Sequence, residues 1–345
     1  MVNSLQYEEP LLLRGYHWSQ EQLEETPDNG IFYLALNMSS TCNYRCPYCF
    51  VGLDNLRSGP GELILEEKLK LTVDAKELGA KVLVMPGRGE PMADKDFWPV
   101  VDYANNLGMW VVVYTNAFFV SEENIERLRD ADISLYCKVD SLDPKVYEEL
   151  VGKIGVFNKV KKNLELVLES FHSPVVEDGR KLSRLGINSV VTVITEPSIP
   201  EIYDWCKNND VFYTCRSPVR VGEAEKTWDY LVQHKVNQLR ETGLKYAGRN
   251  FTSATEKGQC GIYRFGVTVE NTGDIYVCPD AREGFGSIGN IRKDSLECLI
   301  KRRNRLFPPN SSEGFCFVKS INNPEEVRSN GAELDWRNST LVQRI

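Results

Sequence analysis

The sequence predicts an α/β chain: an open, partial (β/α)6 barrel of the TIM type, followed by a smaller C-terminal unit made of a β-hairpin and a helix. Three observations carry this reading. Short apolar runs alternate with stretches of helical periodicity six times between residues 31 and 220, as parallel strands joined by right-handed helical crossovers require. Past about residue 220 the alternation stops, and glycine, asparagine and short β-like runs take over. Three cysteines stand in one loop directly after the first apolar run, at the end of a strand where parallel barrels carry their active sites.

Taken in order, residues 1–30 form a polar leader with a helix near Ser19 to Glu25, closed by the turn cluster Pro27-Asp28-Asn29-Gly30. Ile31 to Asn37 reads as a buried first strand. Leu63 to Leu78 has helical spacing with acidic residues early, Lys81 to Met85 is a strand, Phe97 to Leu107 a helix and Trp110 to Tyr114 a strand. Glu122 to Arg129 continues as helix, Ile133 to Val139 as strand, and Val156 to Ser170 as a helix. Ile187 to Ile194, a helix from Ile199 to Asn208, and Val211 to Thr214 complete the barrel, which is assigned to residues 31–220. The hairpin unit takes residues 221–318 and a polar tail 319–345. In that unit Arg264 to Val269 and Asp274 to Val277 pair about the turn Glu270-Asn271-Thr272-Gly273, and Asp294 to Leu306 is a helix ended by Pro308-Pro309.

With 41 basic against 49 acidic residues, the 345-residue chain has a net charge of -8, a field that does not favour a nucleic-acid backbone as partner. No stretch reaches the length of a membrane span, and Met1 to Arg14 lacks the pattern of a signal peptide. Ten cysteines in such a chain point to a reducing, cytoplasmic setting and to ligation or burial rather than disulfides.

The cysteine loop runs Thr41-Cys42-Asn43-Tyr44-Arg45-Cys46-Pro47-Tyr48-Cys49-Phe50, with the spacing CxxxCxxC. Three thiolates on one loop can converge on a cubic iron-sulfur cluster and leave one iron without a protein ligand, whereas an electron-carrying cluster takes four cysteines. The alternatives are a zinc site, which wants a complete fourth ligand and paired CxxC knuckles, and a set of unrelated buried thiols. The stretch resembles the signature of the radical S-adenosylmethionine (SAM) superfamily, CxxxCxΦC, with Tyr48 as the aromatic residue before the last cysteine. That resemblance implies a 4Fe-4S cluster on Cys42, Cys46 and Cys49, SAM on the fourth iron, and formation of a 5′-deoxyadenosyl radical. It also implies the partial barrel, and an electron donor such as flavodoxin or ferredoxin.

Further motifs sit at later strand ends. Gly87-Arg88-Gly89-Glu90-Pro91 resembles the family's GGEP motif, with Arg88 in place of a glycine. The resemblance puts Gly89, Glu90 and Pro91 at the SAM amino group; a carboxylate facing an ammonium is a charge-assisted contact, and glycine permits close backbone approach. Thr115-Asn116 is similar to the family's Thr-Asn-Gly, and Lys138-Val139-Asp140-Ser141 stands where many relatives carry Ser-Leu-Asp. By resemblance Thr115, Asn116 and Asp140 reach the ribose or carboxylate of SAM, and the Lys138 ammonium reaches that carboxylate or the substrate. Structural capping is the competing reading for these strand ends.

In the C-terminal unit, Cys260, Gly273 and Cys278 give C-x12-G-x4-C, followed by Cys316. This looks like the SPASM or shortened twitch domain and implies a second, auxiliary 4Fe-4S cluster on Cys260, Cys278 and Cys316, its fourth ligand open. Lys319 stands where a further cysteine is expected. Cys206, Cys215 and Asp280 are candidates for the missing ligand. Cys298, among Leu296, Leu299 and Ile300, is expected to be buried as a small hydrophobe, as is Cys137.

The leading functional expectation is a radical SAM oxidoreductase that removes hydrogen from a small polar metabolite such as a sugar, aminocyclitol or nucleotide, with net oxidation or rearrangement. The catalytic residue that would return a hydrogen is not assigned. A peptide-modifying maturase or epimerase is the alternative, and a non-enzymatic iron-sulfur carrier is the alternative of another class.

Overall fold

The strands follow the apolar runs: β1 (Leu12–Leu13), β2 (Tyr33–Leu36), β3 (Val82–Met85), β4 (Trp110–Thr115), β5 (Ile133–Lys138), β6 (Val175–Glu177), β7 (Arg180–Ser183), β8 (Leu185–Val190), β9 (Phe212–Arg216), β10 (Gly266–Val269), β11 (Asp274–Tyr276) and β12 (Ser287–Asn290). The computed structural model describes residues 11–55, 59–171, 174–247, 264–278 and 287–306. Among them the helices are α1 (Gln20–Glu24), α2 (Leu65–Glu77), α3 (Phe97–Asn106), α4 (Ile125–Asp130), α5 (Pro144–Val151), α6 (Phe157–Phe171), α7 (Ile199–Asn208), α8 (Glu223–Lys226), α9 (Trp228–Val232), α10 (Val236–Ala247) and α11 (Leu296–Leu306).

Among the described residues nine strands form one sheet in the order β12-β11-β10-β2-β3-β4-β5-β8-β9. From β10 through β9 every neighbouring pair is parallel, while β10-β11-β12 pair antiparallel. Among the described strands β12 and β9 are edges, so this sheet is open, as a partial barrel is. The predicted hairpin does not stand apart: β10 pairs with β2 from Gly266↔Tyr33 to Val269↔Leu36 and lengthens the barrel sheet on that side.

Strands buried on both faces explain why runs such as Val111-Val112-Val113 are apolar without alternation. One set of side chains, including Leu83, Met85, Val111, Val113, Leu135 and Ile187, packs with the helices. The intervening set, Val82, Val112, Tyr136 and Phe212, forms a second cluster with Leu13, Phe32 and Phe265, against which Tyr16 and Trp18 pack. The stretch around Leu13 to Trp18 thus belongs to the core and is not the polar leader the composition suggests. Leu12 and Leu13 pair with Leu182 and Ser183 of β7, and Ser134 Oγ donates to Arg14 O (2.8 Å).

Other departures have local reasons. Residues 223–247 are largely helical, not the β-like region expected there, and α10 packs along β9, with Cys215 Sγ 3.7 Å from Gly243 O. Cys298 is exposed rather than buried, because α11 turns Leu296, Leu299, Ile300 and Arg303 inward. Arg303, 1% exposed, donates to Gly266 O (2.9 Å) and Gly30 O (3.3 Å), tying α11 beneath β10.

Lys68 on α2 is buried and bridges Asp94 (3.0 Å) and Asp96 (2.8 Å), both also buried. Truncating one member of such a cluster strands the remaining charges in the interior. Lys68→Ala is therefore expected to lose about 3–5 kcal/mol of stability in urea unfolding; a loss below about 1 kcal/mol would contradict this.

Candidate metal and cofactor site

The loop after β2 carries Cys42, Cys46 and Cys49, and contacts distant in sequence hold it at both ends. At its entry, Glu90 N donates to Thr41 O (2.8 Å). A Cβ on Gly89 would stand under 3.0 Å from Thr41 O, Ser39 O and Ser40 C. The glycine therefore serves the approach of two protein loops, where the sequence reading has it serving a ligand. At the exit, Glu223 N and Ala224 N donate to Cys49 O (3.0 and 3.2 Å), and Thr227 Oγ1 donates to Pro47 O (2.6 Å). Gly222, at φ 60°, lets this turn pass, since a Cβ there would meet Phe50 O at under 3.0 Å.

The three clustered cysteines are half-buried and unpaired by disulfides. Tyr44 N points at Cys42 Sγ (3.5 Å). Burial pushes all three thiols up, Cys49 to about 11, and the neighbouring thiols raise Cys46 and Cys49 further. Such thiols become thiolates when a metal supplies the opposing charge. Among the described residues, no three His, Cys, Asp or Glu side chains gather closely enough for a single ion. A cube takes each thiolate on a different iron and does not ask for that. Asn43 Nδ2, next to Cys42, is buried with no hydrogen-bond partner, a donor that a water or a ligand atom would satisfy. Half-buried thiols, whose thiolate forms would repel one another without an opposing charge, beside an orphaned donor fit a cluster with a bound cofactor.

Glu90 joins the ends of β3 and β4. It is 2% exposed, and its carboxylate accepts from Thr115 Oγ1 (2.6 Å), Asn116 N (2.7 Å) and Met92 N (3.1 Å). Asn116 Nδ2 in turn donates to Asn43 Oδ1 (2.8 Å). The predicted Glu90, Thr115 and Asn116 are thus brought together against the cysteine loop, with much of their bonding capacity spent on one another. Pro91 opens the short 3-10 turn Pro91–Ala93 that Glu90 caps. Burial raises the Glu90 carboxyl to about 7, against the opposing pull of its hydrogen bonds. The folded protein then holds a proton there that the unfolded chain releases near 4.5. This contribution to stability is full below that value and is lost as pH rises to about 7, by roughly 3 kcal/mol. The carboxyl carbon shift of labelled Glu90 is expected to titrate near 7; a midpoint below about 5 would contradict the burial argument.

A second cluster lies at the end of β5. Tyr48 Oη donates to Asp140 Oδ2, Lys138 Nζ pairs with Asp140 Oδ1, and Val190 N donates to the same oxygen (2.7 Å). Lys138 Nζ also stands 4.6 Å from the centre of the Tyr48 ring. Asp140 is 2% exposed and its carboxylate is committed to these partners, so the more accessible group at this strand end is Lys138. Arg88 forms an ion pair with Glu270 in the β10–β11 turn.

Cys260 and Cys316, and with them Asp280, lie outside the described residues. Cys278 is buried just after β11, and Cys137, Cys206 and Cys215 are packed in the core. Asn37, Ser40, Asn43, Glu223 and Asn271 contact or carry the loop and were not picked out by sequence reasoning. Their partners lie up to 231 positions away, so no local pattern marks them.

The family model described as Radical SAM superfamily matches residues 36–179, the stretch that carries the cysteine loop and the ends of β3 to β5. Within that stretch the chain is similar to the radical SAM superfamily. Members of this superfamily use a 4Fe-4S cluster and SAM. Among curated relatives, GTP 3′,8-cyclase of Haemophilus influenzae is 25% identical over 202 residues, covering 57% of this chain and 56% of the cyclase. The match thus spans little more than half of that relative's length. Among solved structures, Streptococcus suis SuiB bound to S-adenosylmethionine aligns with a TM-score of 0.60 at 18% identity, over 87% of this chain and 76% of SuiB. Native anSMEcpe with bound AdoMet aligns with a TM-score of 0.55 at 19% identity, over 80% of this chain and 82% of that one. At these identities the two structures speak for the fold alone, an α/β partial barrel.

Proposed function

We propose that this chain is a radical SAM enzyme that removes a hydrogen atom from a small polar metabolite, with a nucleotide first among the candidates. In this reading Cys42, Cys46 and Cys49 hold the cluster, and Asn43, Glu90, Thr115 and Asn116 form the wall beside it. When bound, the reduced cluster and SAM supply a 5′-deoxyadenosyl radical. Glu90 keeps the ends of β3 and β4 and the cysteine loop in register, and Asn43 offers its unpartnered amide to the cofactor. Lys138, held beside Tyr48, presents a positive charge toward an anionic group. The observation that carries the reading is the three-cysteine loop at the C-terminal end of β2 with the buried, orphaned Asn43 donor next to it. The nucleotide preference leans on the curated relative, whose name is that of an enzyme acting on GTP.

Rearrangement or net oxidation is the proposed outcome, the latter if Cys260, Cys278 and Cys316 hold an auxiliary cluster that accepts an electron. A reductant such as flavodoxin or ferredoxin, in a reducing cytoplasmic compartment, completes the proposal. Among the described residues no helix is long and apolar enough to cross a membrane. The test is isotope transfer: anaerobic enzyme, dithionite and SAM are incubated with deuterated nucleotides, sugars and aminocyclitols. Deuterium is expected in 5′-deoxyadenosine with one of these. Its absence with all of them, and appearance with labelled peptides, would overturn the substrate class.

A further inference from the structure

The turn between β10 and β11 does more than reverse the chain. Backbone bonds already close it: Gly273 N donates to Glu270 O and Glu270 N to Asp274 O, each at 2.8 Å. Yet its two leading side chains are sent elsewhere. Asn271, 4% exposed, donates from Nδ2 to Ser40 Oγ (2.8 Å) and to Glu62 Oε1 (2.6 Å). Its carbonyl accepts from Leu63 N (2.6 Å). Glu62 Oε1 also accepts from Ser40 N (3.1 Å). Ser40 stands two residues before Cys42. The neighbouring Glu270 pairs with Arg88, whose own N–H donates to Asn37 Oδ1 (2.9 Å), while Asn37 N donates to Val269 O (2.9 Å).

Three segments therefore meet at this turn: the entry to the cysteine loop, the Arg88-Gly89-Glu90 corner, and residues 62–63. A turn asparagine that served only local geometry would be solvated or would bond within its own turn. Here it is buried and bonded across the sheet.

We propose that Glu270 and Asn271 are positioning residues for the radical-generating centre. They clasp the cysteine loop to the Glu90 corner, so that the thiols and the wall opposite them keep one geometry. The proposal rests on the assignment of the cluster to Cys42, Cys46 and Cys49. The same hairpin runs on to Cys278 within two residues of the end of β11, so the clasp gives the C-terminal unit a direct mechanical hold on the SAM-binding loop.

The test uses full-length Asn271→Ala and Glu270→Ala, reconstituted anaerobically beside the wild type. Loss of these buried bonds is expected to raise the KM for SAM in 5′-deoxyadenosine release about tenfold, equivalent to about 1.4 kcal/mol. Iron content and melting temperature are expected to stay near those of the wild type. Backbone amide exchange of residues 39–50 in the apo protein is expected to speed up by a similar factor. Glu270→Gln, which keeps an acceptor for Arg88, is expected to return KM to within about threefold of the wild type. The proposal is overturned if KM and exchange stay within about twofold of the wild type in both alanine variants. It is equally overturned if activity falls only in step with lost iron or lost fold, with KM unchanged. Should Asn271→Ala not fold, the less buried Glu270 pair decides the outcome. Failure of the cluster assignment shows differently, as a wild type that releases no 5′-deoxyadenosine.

Discussion

Cys46→Ala is expected to abolish release of 5′-deoxyadenosine from SAM and to strip the iron bound by the loop. Cys46 is the middle ligand in the proposed set, and its thiol lies within the electrostatic reach of both Cys49 and Cys42. Removing it leaves two thiolates for a cube that already has one iron unligated by protein. If an auxiliary cluster is present, bound iron falls from about eight to about four per chain; without one, it falls from about four toward none. Cys298→Ala, on the outer face of α11 and exposed, is expected to leave both readings unchanged. A Cys46→Ala protein that still cleaved SAM at an appreciable rate would contradict the ligand assignment.

Gly89→Ala is the second large expected effect, and it follows from steric exclusion alone. The added methyl would stand under 3.0 Å from backbone atoms of Ser39, Ser40 and Thr41, and backbone cannot swing aside as a flexible side chain does. The two loops must part, which weakens the 2.8 Å bond from Glu90 N to Thr41 O and shifts Glu90 against Thr115 and Asn116. Overpacking of this kind costs about 3 kcal/mol when the neighbours cannot yield. Misplacement of a reacting centre by an ångström costs about a hundredfold in rate. Urea unfolding and SAM cleavage together check both figures. A variant within about 0.5 kcal/mol of the parent and fully active would show that the Gly89 corner and the cysteine loop do not pack as described.

The barrel was legible because its strands are short, largely buried apolar runs alternating with stretches of helical period. α5 was legible in principle: Asp143 caps it, Pro144 opens it and Gly152 ends it. Its eight residues, between a strand and a longer helix, are too few to show a helical period of their own. The N-terminal stretch misled because its apolar residues, Leu13, Tyr16 and Trp18, are scattered among polar ones. What buries them is the barrel interior, which no local pattern reveals. α10 misled through its exposed polar face.

At the site, the cysteine loop, Glu90, Thr115 and Asn116 were singled out by their resemblance to family motifs at strand ends, and the structure brings Glu90, Thr115 and Asn116 against that loop. Asn271, Ser40 and Glu223 could not be, since their roles arise from contacts made only after the hairpin and α8 reach the loop. The bonds of Asp140 to Tyr48, Lys138 and Val190 were hidden for the same reason.

The most direct measurement is electron paramagnetic resonance of the anaerobic, dithionite-reduced protein before and after addition of SAM. An iron left open by Cys42, Cys46 and Cys49 predicts a 4Fe-4S signal whose g values shift when SAM is added, and no such signal from that loop in Cys46→Ala. A reduced cluster whose spectrum is indifferent to SAM would contradict the account.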